Sequence, residues 1–341
     1  MRSLNKIAVV GHPSFFGGAD TELAHQVKLW KHLGLEIHFF PDSVVAQELK
    51  CTFGTDQPGC VHHAPGAWSE LEGLDVVSFC NAYYLEHLPQ IRKFARTTSW
   101  VNCMTWNFPL EQKRHKEGLI DLHLYQTQHA LHRVGSGLAD EPSAQLMEFV
   151  PFFDADSLPM MTDRPKDQLT VGHLSRPDPA KFHPDLWRIW NGFRSPVKKS
   201  GIVMAWSEAI ETKIGKPPEW VTTLTSNQIT QHEFFKHTDI LLMHTQTLEN
   251  LPRVGFEAMA SGTVMCVNRK GGWCVQVQDG ITGFVCGFPR EAIERASALA
   301  FEPNLRLAMA TAARQALIDG WGFEASSRSW SGVFKTIAAI R

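Results

Sequence analysis

The sequence predicts an α/β protein in which two doubly wound parallel sheets follow one another along the chain. Residues 7–10 are apolar and precede a glycine-containing turn and an amphipathic helix at residues 21–33. The same order recurs in the second half, where residues 240–243 and 263–267 resemble strands on either side of a helix at residues 254–260. Because parallel strands need a crossover between them, this alternation indicates βαβ units with covered sheet faces.

A polar segment separates the two predicted sheets. Residues 156–168 contain prolines and acidic residues without apolar periodicity, which is the composition of a linker. We therefore expect a first domain at residues 1–155 and a second domain at residues 169–320. A last helix is expected at residues 321–341.

The overall composition is that of a globular protein. The 341 residues are 43% hydrophobic and 20% charged, and the formal net charge is −2. This balance argues against nucleic acid as the main partner, and no apolar run approaches the roughly 18 residues that cross a bilayer. The seven dispersed cysteines are expected to be reduced thiols. We expect a cytoplasmic protein without a transmembrane segment, and peripheral contact with the inner face of a membrane stays open.

The polar residues between positions 239 and 288 indicate a binding site. Glu249 lies in the loop that leaves a predicted strand, and Glu257 lies in the helix that follows. Ligands of open parallel sheets bind beyond the carboxyl ends of the strands, and ionised carboxylates accept strong hydrogen bonds from hydroxyl groups. On spacing alone the alternative is as good: Glu249 would be a helix-start acid and Glu257 a solvated helix residue.

A longer pattern resembles the retaining glycosyltransferases of family 4. Seven residues separate Glu249 from Glu257-Ala258-Met259-Ala260, and the turns Gly271-Gly272 and Asp279-Gly280-Ile281-Thr282-Gly283 follow. Members of that family carry these parts in this order and at similar spacings. The resemblance implies the GT-B fold, in which two Rossmann-like domains face a central cleft and the last helix crosses back to the first domain. It also implies transfer of a sugar from a nucleotide-diphosphate donor to an acceptor, without a metal or another cofactor.

The resemblance assigns roles within the donor site. Glu257 would hold the ribose hydroxyls, and Glu249, a candidate catalytic residue, would hold hydroxyls of the donor sugar. The donor-binding set also includes the residues Asn250, Leu251, Gly271 and Gly272. One departure is that Pro252 cannot donate a backbone N–H, where the family often has a Phe-Gly pair.

Two basic residues follow the first predicted strand of the second domain. Arg176 and Lys181 are separated by four residues in one loop. Two cations at the carboxyl end of a strand can stabilise a diphosphate leaving group without a metal. The family carries an Arg and a Lys at this spacing, so the resemblance makes both residues candidates for catalysis. Two solvated basic side chains in a loop are the alternative.

The first domain is expected to supply the acceptor side. Gly17 and Gly18 precede the first helix, and the resemblance implies that their backbone approaches the donor phosphates. A plain turn with a helix cap is the alternative. Tyr83, Trp106 and Asn107 follow predicted strands and are interpreted as acceptor-side residues. Packing beneath a loop is an equal alternative for Tyr83, and a position in the core is at least as good an alternative for Trp106.

The sequence therefore predicts a retaining glycosyltransferase that uses a nucleotide-diphosphate sugar. Its acceptor would be a carbohydrate, a lipid-linked or a small molecule, in cell-surface glycan or glycoconjugate synthesis. Many relatives carry a histidine after the strand that here ends before Cys103, and this chain has none there. Two alternatives stay open: a sugar-nucleotide epimerase on the same fold, and a pseudo-transferase that binds a nucleotide sugar without turnover.

Overall fold

A computed structural model of the chain describes residues 4–11, 18–42, 59–138, 145–161 and 163–340. The chain divides into two compact units. One consists of Met1–Phe153 together with Gly320–Arg341, and the other of Asp154–Asp319. The described part of each unit contains one parallel sheet.

The first unit has a seven-stranded sheet with the order β3-β2-β1-β4-β5-β6-β7, and every pairing is parallel. Its strands are β1 (Lys6–Val10), β2 (Glu36–Phe40), β3 (Cys60–His62), β4 (Asp75–Phe79), β5 (Thr97–Asn102), β6 (Leu122–Tyr125) and β7 (Gln145–Glu148).

The second unit has a six-stranded parallel sheet with the order β10-β9-β8-β11-β12-β13. Its strands are β8 (Gln168–Leu174), β9 (Lys198–Met204), β10 (Val221–Leu224), β11 (Ile240–Met243), β12 (Val264–Asn268) and β13 (Gly283–Cys286).

Helices connect the strands in both units. In chain order they are α1 (Gly18–His32), α2 (Ala82–Ile91), α3 (Pro109–Lys116), α4 (Gln128–Ala130), α5 (Leu186–Gly192), α6 (Glu208–Ile214), α7 (Gln231–His237), α8 (Arg253–Ser261), α9 (Trp273–Gln276), α10 (Pro289–Phe301), α11 (Pro303–Trp321) and α12 (Phe323–Ala339). Short 3₁₀ or π turns lie at Trp68–Leu71, Leu131–Gly135, Ser136–Leu138, Ala155–Ser157 and Pro179–Lys181. In the part of the chain that the structure describes, no helix combines the length and the apolar character needed to cross a membrane.

Both faces of the first sheet are covered by apolar side chains. Alternate residues of a strand point to opposite faces, so Val9 and Val10 of β1 belong to different clusters. Val9 packs in a cluster with Trp30 of α1 and Trp330 of α12, whose ring centroids are 4.7 Å apart. Val10 packs in a cluster with Leu88 of α2. The C-terminal helix α12 is therefore part of the core of the first unit.

The core of the second unit lies under the middle of its sheet. Val171 of β8 and Leu242 of β11 pack in one buried cluster with Trp190 of α5 and Ala296 of α10. The indole Nε1 of Trp190 donates a hydrogen bond to the backbone oxygen of Leu242 at 3.2 Å. This contact satisfies a buried polar atom and fixes α5 against the central strands.

The two sheets share one feature that positions a site. In each sheet the strand order reverses after the first strand, between β1 and β4 in the first unit and between β8 and β11 in the second. Ligands of open α/β sheets bind beyond the carboxyl ends of the strands at such a switch point. In the second unit the two loops that leave this point carry Lys181 and Glu249.

Candidate active site

The first loop of the site joins β8 to α5. Its short 3₁₀ turn, Pro179–Lys181, is capped by Asp178, whose Oδ1 accepts a hydrogen bond from the backbone N–H of Ala180 at 2.9 Å. An aspartate cap of this kind satisfies an otherwise unpaired donor at the start of a turn. The cap therefore gives the loop a defined shape and presents Lys181 at its end.

The second loop of the site joins β11 to α8 and is tied to the first by backbone hydrogen bonds. The backbone N–H of His183 donates to the oxygen of His244 at 3.2 Å. The backbone N–H groups of Gln246 and Thr247 both donate to the oxygen of Ala180, at 3.2 and 3.3 Å. These bonds fix the two loops side by side beyond the carboxyl ends of β8 and β11.

The loops bring two predicted site residues into direct contact. The Nζ of Lys181 lies 2.5 Å from the Oε1 of Glu249, and the two side chains are 14% and 15% exposed. The hydroxyl of Thr247 donates to the same carboxylate oxygen at 3.4 Å. Because the pair is partly withdrawn from water, its Coulomb attraction is stronger than that of a surface ion pair.

The third loop, after β12, contains the two predicted glycines and packs closely against the backbone of the Glu249 loop. A Cβ on Gly271 would lie 2.2 Å from the backbone oxygen of Glu249, and a Cβ on Gly272 would lie 1.8 Å from that of Asn250. The backbone N–H of Gly272 also donates to the oxygen of Glu249 at 2.9 Å. Only residues without a side chain allow this approach. The glycines therefore support the Glu249 loop, and their predicted contact with a donor stays a prediction.

Helix α8 follows the Glu249 loop and carries Glu257. Asn250 and Leu251 are buried just before Pro252, and the helix begins at Arg253 without a side-chain cap. Burial raises the pKa of Glu257 to about 7, and the charge of Arg253 opposes this shift. The Glu257 side chain keeps part of its surface exposed. No described residue forms a hydrogen bond or ion pair with its carboxylate, so it can accept hydrogen bonds from a ligand.

Arg176 behaves differently from Lys181. Its side chain is exposed and forms no ion pair or hydrogen bond with any residue that the structure describes. Its backbone oxygen accepts hydrogen bonds from the Asp178 N–H at 2.7 Å and from the Ser175 hydroxyl at 3.0 Å. The structure thus pairs Lys181 with an acid and leaves the Arg176 guanidinium open to an anion. Nor do the described residues include a group of three or more His, Cys, Asp or Glu side chains suited to a metal ion.

Two buried histidines border the site, and the sequence assigned neither a role. His173 is the penultimate residue of β8, and His244 directly follows β11. Burial lowers the pKa of His173 to about 3, with Lys181 and His244 adding to the effect. Burial and the neighbouring His183 lower the pKa of His244 to about 4. Both imidazoles are therefore neutral at pH 7. The ring nitrogens of both are buried, and those of His173 have no hydrogen-bond partner among the described residues. The only sign of them in the sequence was that each lies at the end of a predicted strand.

The structure describes one of the two glycines that were predicted to form part of the site in the first unit. Gly17 lies outside the described residues. Gly18 is exposed at the first position of α1, and its backbone oxygen accepts a hydrogen bond from the hydroxyl of Thr21 at 3.2 Å. Nothing in these contacts tests the predicted approach to donor phosphates.

The three predicted acceptor-side residues have separate surroundings. Tyr83 is half-buried, and its ring centroid lies 5.8 Å from that of Trp68 and 4.2 Å from that of His87. Asn107 donates from Nδ2 to the backbone oxygen of Val134 at 2.8 Å, so its side chain anchors a loop. Trp106 is 53% exposed. No ring contact or hydrogen bond joins these three residues to one another within the described ranges.

The loop that carries Trp106 is held by a buried glutamate that sequence reasoning did not single out. The two carboxylate oxygens of Glu111 accept hydrogen bonds from the Nδ2 of Asn102, at 3.2 and 2.9 Å, and Oε2 also accepts one from the backbone N–H of Phe108 at 3.0 Å. Asn102 also donates to the backbone oxygen of Trp106 at 3.1 Å. The Nδ1 of His123 lies 3.6 Å from the Oε1 of Glu111. The loop shape therefore depends on a buried polar network beneath it.

Part of the second unit matches a known family. Residues 218–316 match the model of the family described as glycosyl transferases group 1. The matched range contains Glu249, Glu257 and the Gly271-Gly272 turn, and it leaves out Arg176 and Lys181. No curated protein sequence gives a significant match to the chain.

Nearly the whole chain is similar in fold to several solved structures. HepE of Anabaena in complex with UDP-glucose has a TM-score of 0.70 at 14% identity, covering 97% of this chain and 99% of HepE. A glycosyltransferase from Rickettsia africae has a TM-score of 0.72 at 13% identity, covering 99% and 100% of the two chains. Sucrose-phosphate synthase from Thermosynechococcus elongatus has a TM-score of 0.68 at 12% identity, with the same coverage of 99% and 100%. The predicted GT-B fold class is therefore confirmed.

Proposed function

We propose that the protein is a glycosyltransferase that takes its sugar from a nucleotide-diphosphate donor bound beyond the carboxyl edge of the second sheet. The observation that carries the proposal is the contact between Lys181 and Glu249 at the switch point between β8 and β11. A cation for the donor phosphates and an acid for the sugar hydroxyls meet there. The matched family range and the fold shared with HepE, which was solved with UDP-glucose, support it.

Each charged residue has a distinct task in this proposal. Lys181 and Arg176 neutralise the donor diphosphate, whose negative charge grows as the bond to the sugar breaks. Glu249 accepts hydrogen bonds from hydroxyls of the donor sugar, and the ammonium of Lys181 fixes the direction of that carboxylate. Glu257 binds the ribose hydroxyls. The N-terminal end of α8 is the positive end of the helix dipole, which is suited to a phosphate oxygen.

The reaction we propose retains the configuration of the sugar. The bond between the anomeric carbon and the diphosphate oxygen breaks, and the diphosphate leaves with the bonding electrons. The acceptor hydroxyl oxygen forms the new bond on the same face of the sugar, and its proton passes to an oxygen of the leaving phosphate. This step needs no carboxylate nucleophile, and none of the residues named here is given that role.

The two basic residues lead us to propose that no metal takes part. Lys181 lies at the end of a capped turn and Arg176 has an open guanidinium, so the loop supplies two positive charges of its own. Two cations can take the place of a divalent metal at a diphosphate because both stabilise its negative charge. We expect full activity in the presence of EDTA.

The acceptor is proposed to bind at the first unit. Trp106 offers an exposed aromatic face suited to a sugar ring or an apolar carrier, and Tyr83 and Asn107 are the other acceptor-side candidates. A carbohydrate, a lipid-linked or a small-molecule acceptor would fit this chemistry. We place the reaction in the cytoplasm, in cell-surface glycan or glycoconjugate synthesis.

A donor screen tests the proposal. The purified protein is mixed with UDP-, GDP-, ADP- and dTDP-sugars in EDTA, and its melting temperature is measured. A ligand at one hundred times its dissociation constant stabilises the protein by roughly 2.7 kcal/mol. A stabilising donor is then incubated with an acceptor panel, and NMR follows nucleotide release and the anomeric configuration of the product.

The outcomes of this screen separate the three candidate functions. Transfer with retention supports the proposal. Conversion of the donor sugar into its epimer without an acceptor would identify an epimerase instead. Binding without turnover across the panel would identify a pseudo-transferase, and the absence of binding by every nucleotide sugar would contradict all three.

A further inference from the structure

Lys213 contacts both loops that carry the candidate catalytic residues, although it belongs to neither. It lies in the last turn of α6, which follows β9. Its Nζ is 2.6 Å from the backbone oxygen of Pro179, in the Lys181 loop. The same Nζ is 2.6 Å from the side-chain Oε1 of Gln246, in the Glu249 loop.

Gln246 also forms hydrogen bonds with two other loops of the site. Its backbone N–H donates to the oxygen of Ala180 at 3.2 Å. Its backbone oxygen accepts a hydrogen bond from the Nζ of Lys270, which directly precedes the Gly271-Gly272 turn. Three loops of the site and the end of α6 are thus joined around one residue.

We propose that Lys213 is a positioning residue of the donor site. This inference rests on the proposed function, because it assigns Lys213 a part in holding the same donor. The Lys213 amine bonds to Pro179, two residues before Lys181, and to Gln246, three residues before Glu249. It thereby sets the spacing between the cation that meets the phosphates and the acid that meets the sugar. Hydrogen bonds from a charged donor are stronger than neutral ones, which suits this bridging role.

Helix α6 is held by contacts other than those of the Lys213 amine. Ile210 anchors the helix in the apolar core. The helix ends at Gly215, whose φ of +81° stops it, and the backbone oxygen of Gly215 accepts a hydrogen bond from the indole of Trp187 at 3.0 Å. Loss of the amine should therefore change the two loops more than the stability of the helix.

The experiment compares Lys213→Met, Lys213→Arg and Lys216→Met with the wild type. Lys216 lies just beyond the same helix and is exposed, and its side chain bonds to no residue that the structure describes, so it is the matched control. The dissociation constant of the donor, kcat, KM and the melting temperature are measured for each protein.

We expect Lys213→Met to lower kcat/KM for the donor by about tenfold or more, because small displacements of catalytic groups are costly. Its melting temperature should stay close to that of the wild type. Lys213→Arg should recover much of the loss because it keeps a charged donor, and Lys216→Met should match the wild type. Gln246→Ala should resemble Lys213→Met, and combining the two changes should add little further loss.

Three results would overturn the inference. Lys213→Met could bind and turn over the donor as the wild type does, or Lys213→Arg could be as impaired as Lys213→Met. The fall in kcat/KM of Lys213→Met could also be accompanied by a fall in melting temperature large enough to account for it. Each would contradict the role of Lys213 while leaving the proposed function intact. A wild type that binds no nucleotide sugar would instead contradict both.

Discussion

The ammonium group of Lys181 lies 2.5 Å from the carboxylate of Glu249, although 68 positions separate the two residues in the chain. They meet because β8 and β11 are neighbours in the second sheet, with Ile240 paired to Val171 and Leu241 to Gly172. The loops that leave two adjacent parallel strands start at the same edge, so their side chains can touch. This contact brings together two of the charged residues of the proposed donor site.

The Lys181–Glu249 pair should show coupling in a double-mutant cycle. Lys181→Met or Glu249→Gln alone removes one charge and leaves the other partly buried without its partner. Each single change should destabilise the protein more than the pair of changes does, with a coupling energy of about 1 kcal/mol. Urea unfolding of the four proteins measures it. Additive effects would show that the contact contributes nothing to stability.

Gly272 should tolerate no side chain. Gly272→Ala places a methyl group 1.8 Å from the backbone oxygen of Asn250, so the Glu249 loop must move. We expect a loss of about 3 kcal/mol in the free energy of unfolding, together with lost donor binding. Gly320→Ala is the control, because nothing lies within 4 Å of a Cβ at that helical position. It should be neutral or slightly stabilising. Equal stability of the two variants would contradict the packing explanation.

Glu257 should make the stability of the protein depend on pH. Burial raises its pKa from about 4.5 in the unfolded chain to about 7 in the folded protein. The folded protein therefore holds a proton that the unfolded chain releases, so this stabilisation is complete below pH 4.5 and is lost as the pH rises to 7. Glu257→Gln should remove this part of the pH dependence. Chemical unfolding between pH 4.5 and pH 8 measures it, and an unchanged slope in the variant would contradict the assignment.

Glu111 should contribute strongly to the stability of the first unit. Glu111→Ala leaves the Asn102 amide and the Phe108 N–H without the acceptor that they now share. Buried donors without a partner are costly, so we expect a loss of about 3 kcal/mol. Glu117→Ala, at the end of the same helix, removes only partly exposed ion pairs with Lys113 and Arg114 and should cost less than about 1 kcal/mol. Similar losses in both variants would argue against the buried network.

Local patterns predicted the elements around the site well. The expected strands at residues 240–243 and 263–267 correspond to Ile240–Met243 and Val264–Asn268, and the expected helix at 254–260 corresponds to Arg253–Ser261. Apolar runs define these elements, and Gly262 ends the helix because its φ of +74° is left-handed. Such signals are local and can be found in sequence.

The contacts that assemble the site could not be predicted in this way. Nothing near Lys213 in the sequence indicates that its amine reaches Gln246, because that contact depends on the strand order of the whole sheet. His173 likewise shows no local sign that it is fully buried. The motif identified Gly271 and Gly272, but only the structure shows that they pack against the backbone of the Glu249 loop.

The most direct test of the donor site is a calorimetric titration, in EDTA, of the nucleoside diphosphate whose sugar stabilises the wild type in the donor screen. It compares the wild type with Lys181→Met and with Arg188→Met, a control at an exposed arginine of α5. We predict that the wild type and Arg188→Met bind this nucleoside diphosphate alike and that Lys181→Met binds it at least about tenfold more weakly, since it loses a charge-assisted contact with phosphate. Equal affinity of Lys181→Met and the wild type would contradict a diphosphate site at the Lys181–Glu249 pair.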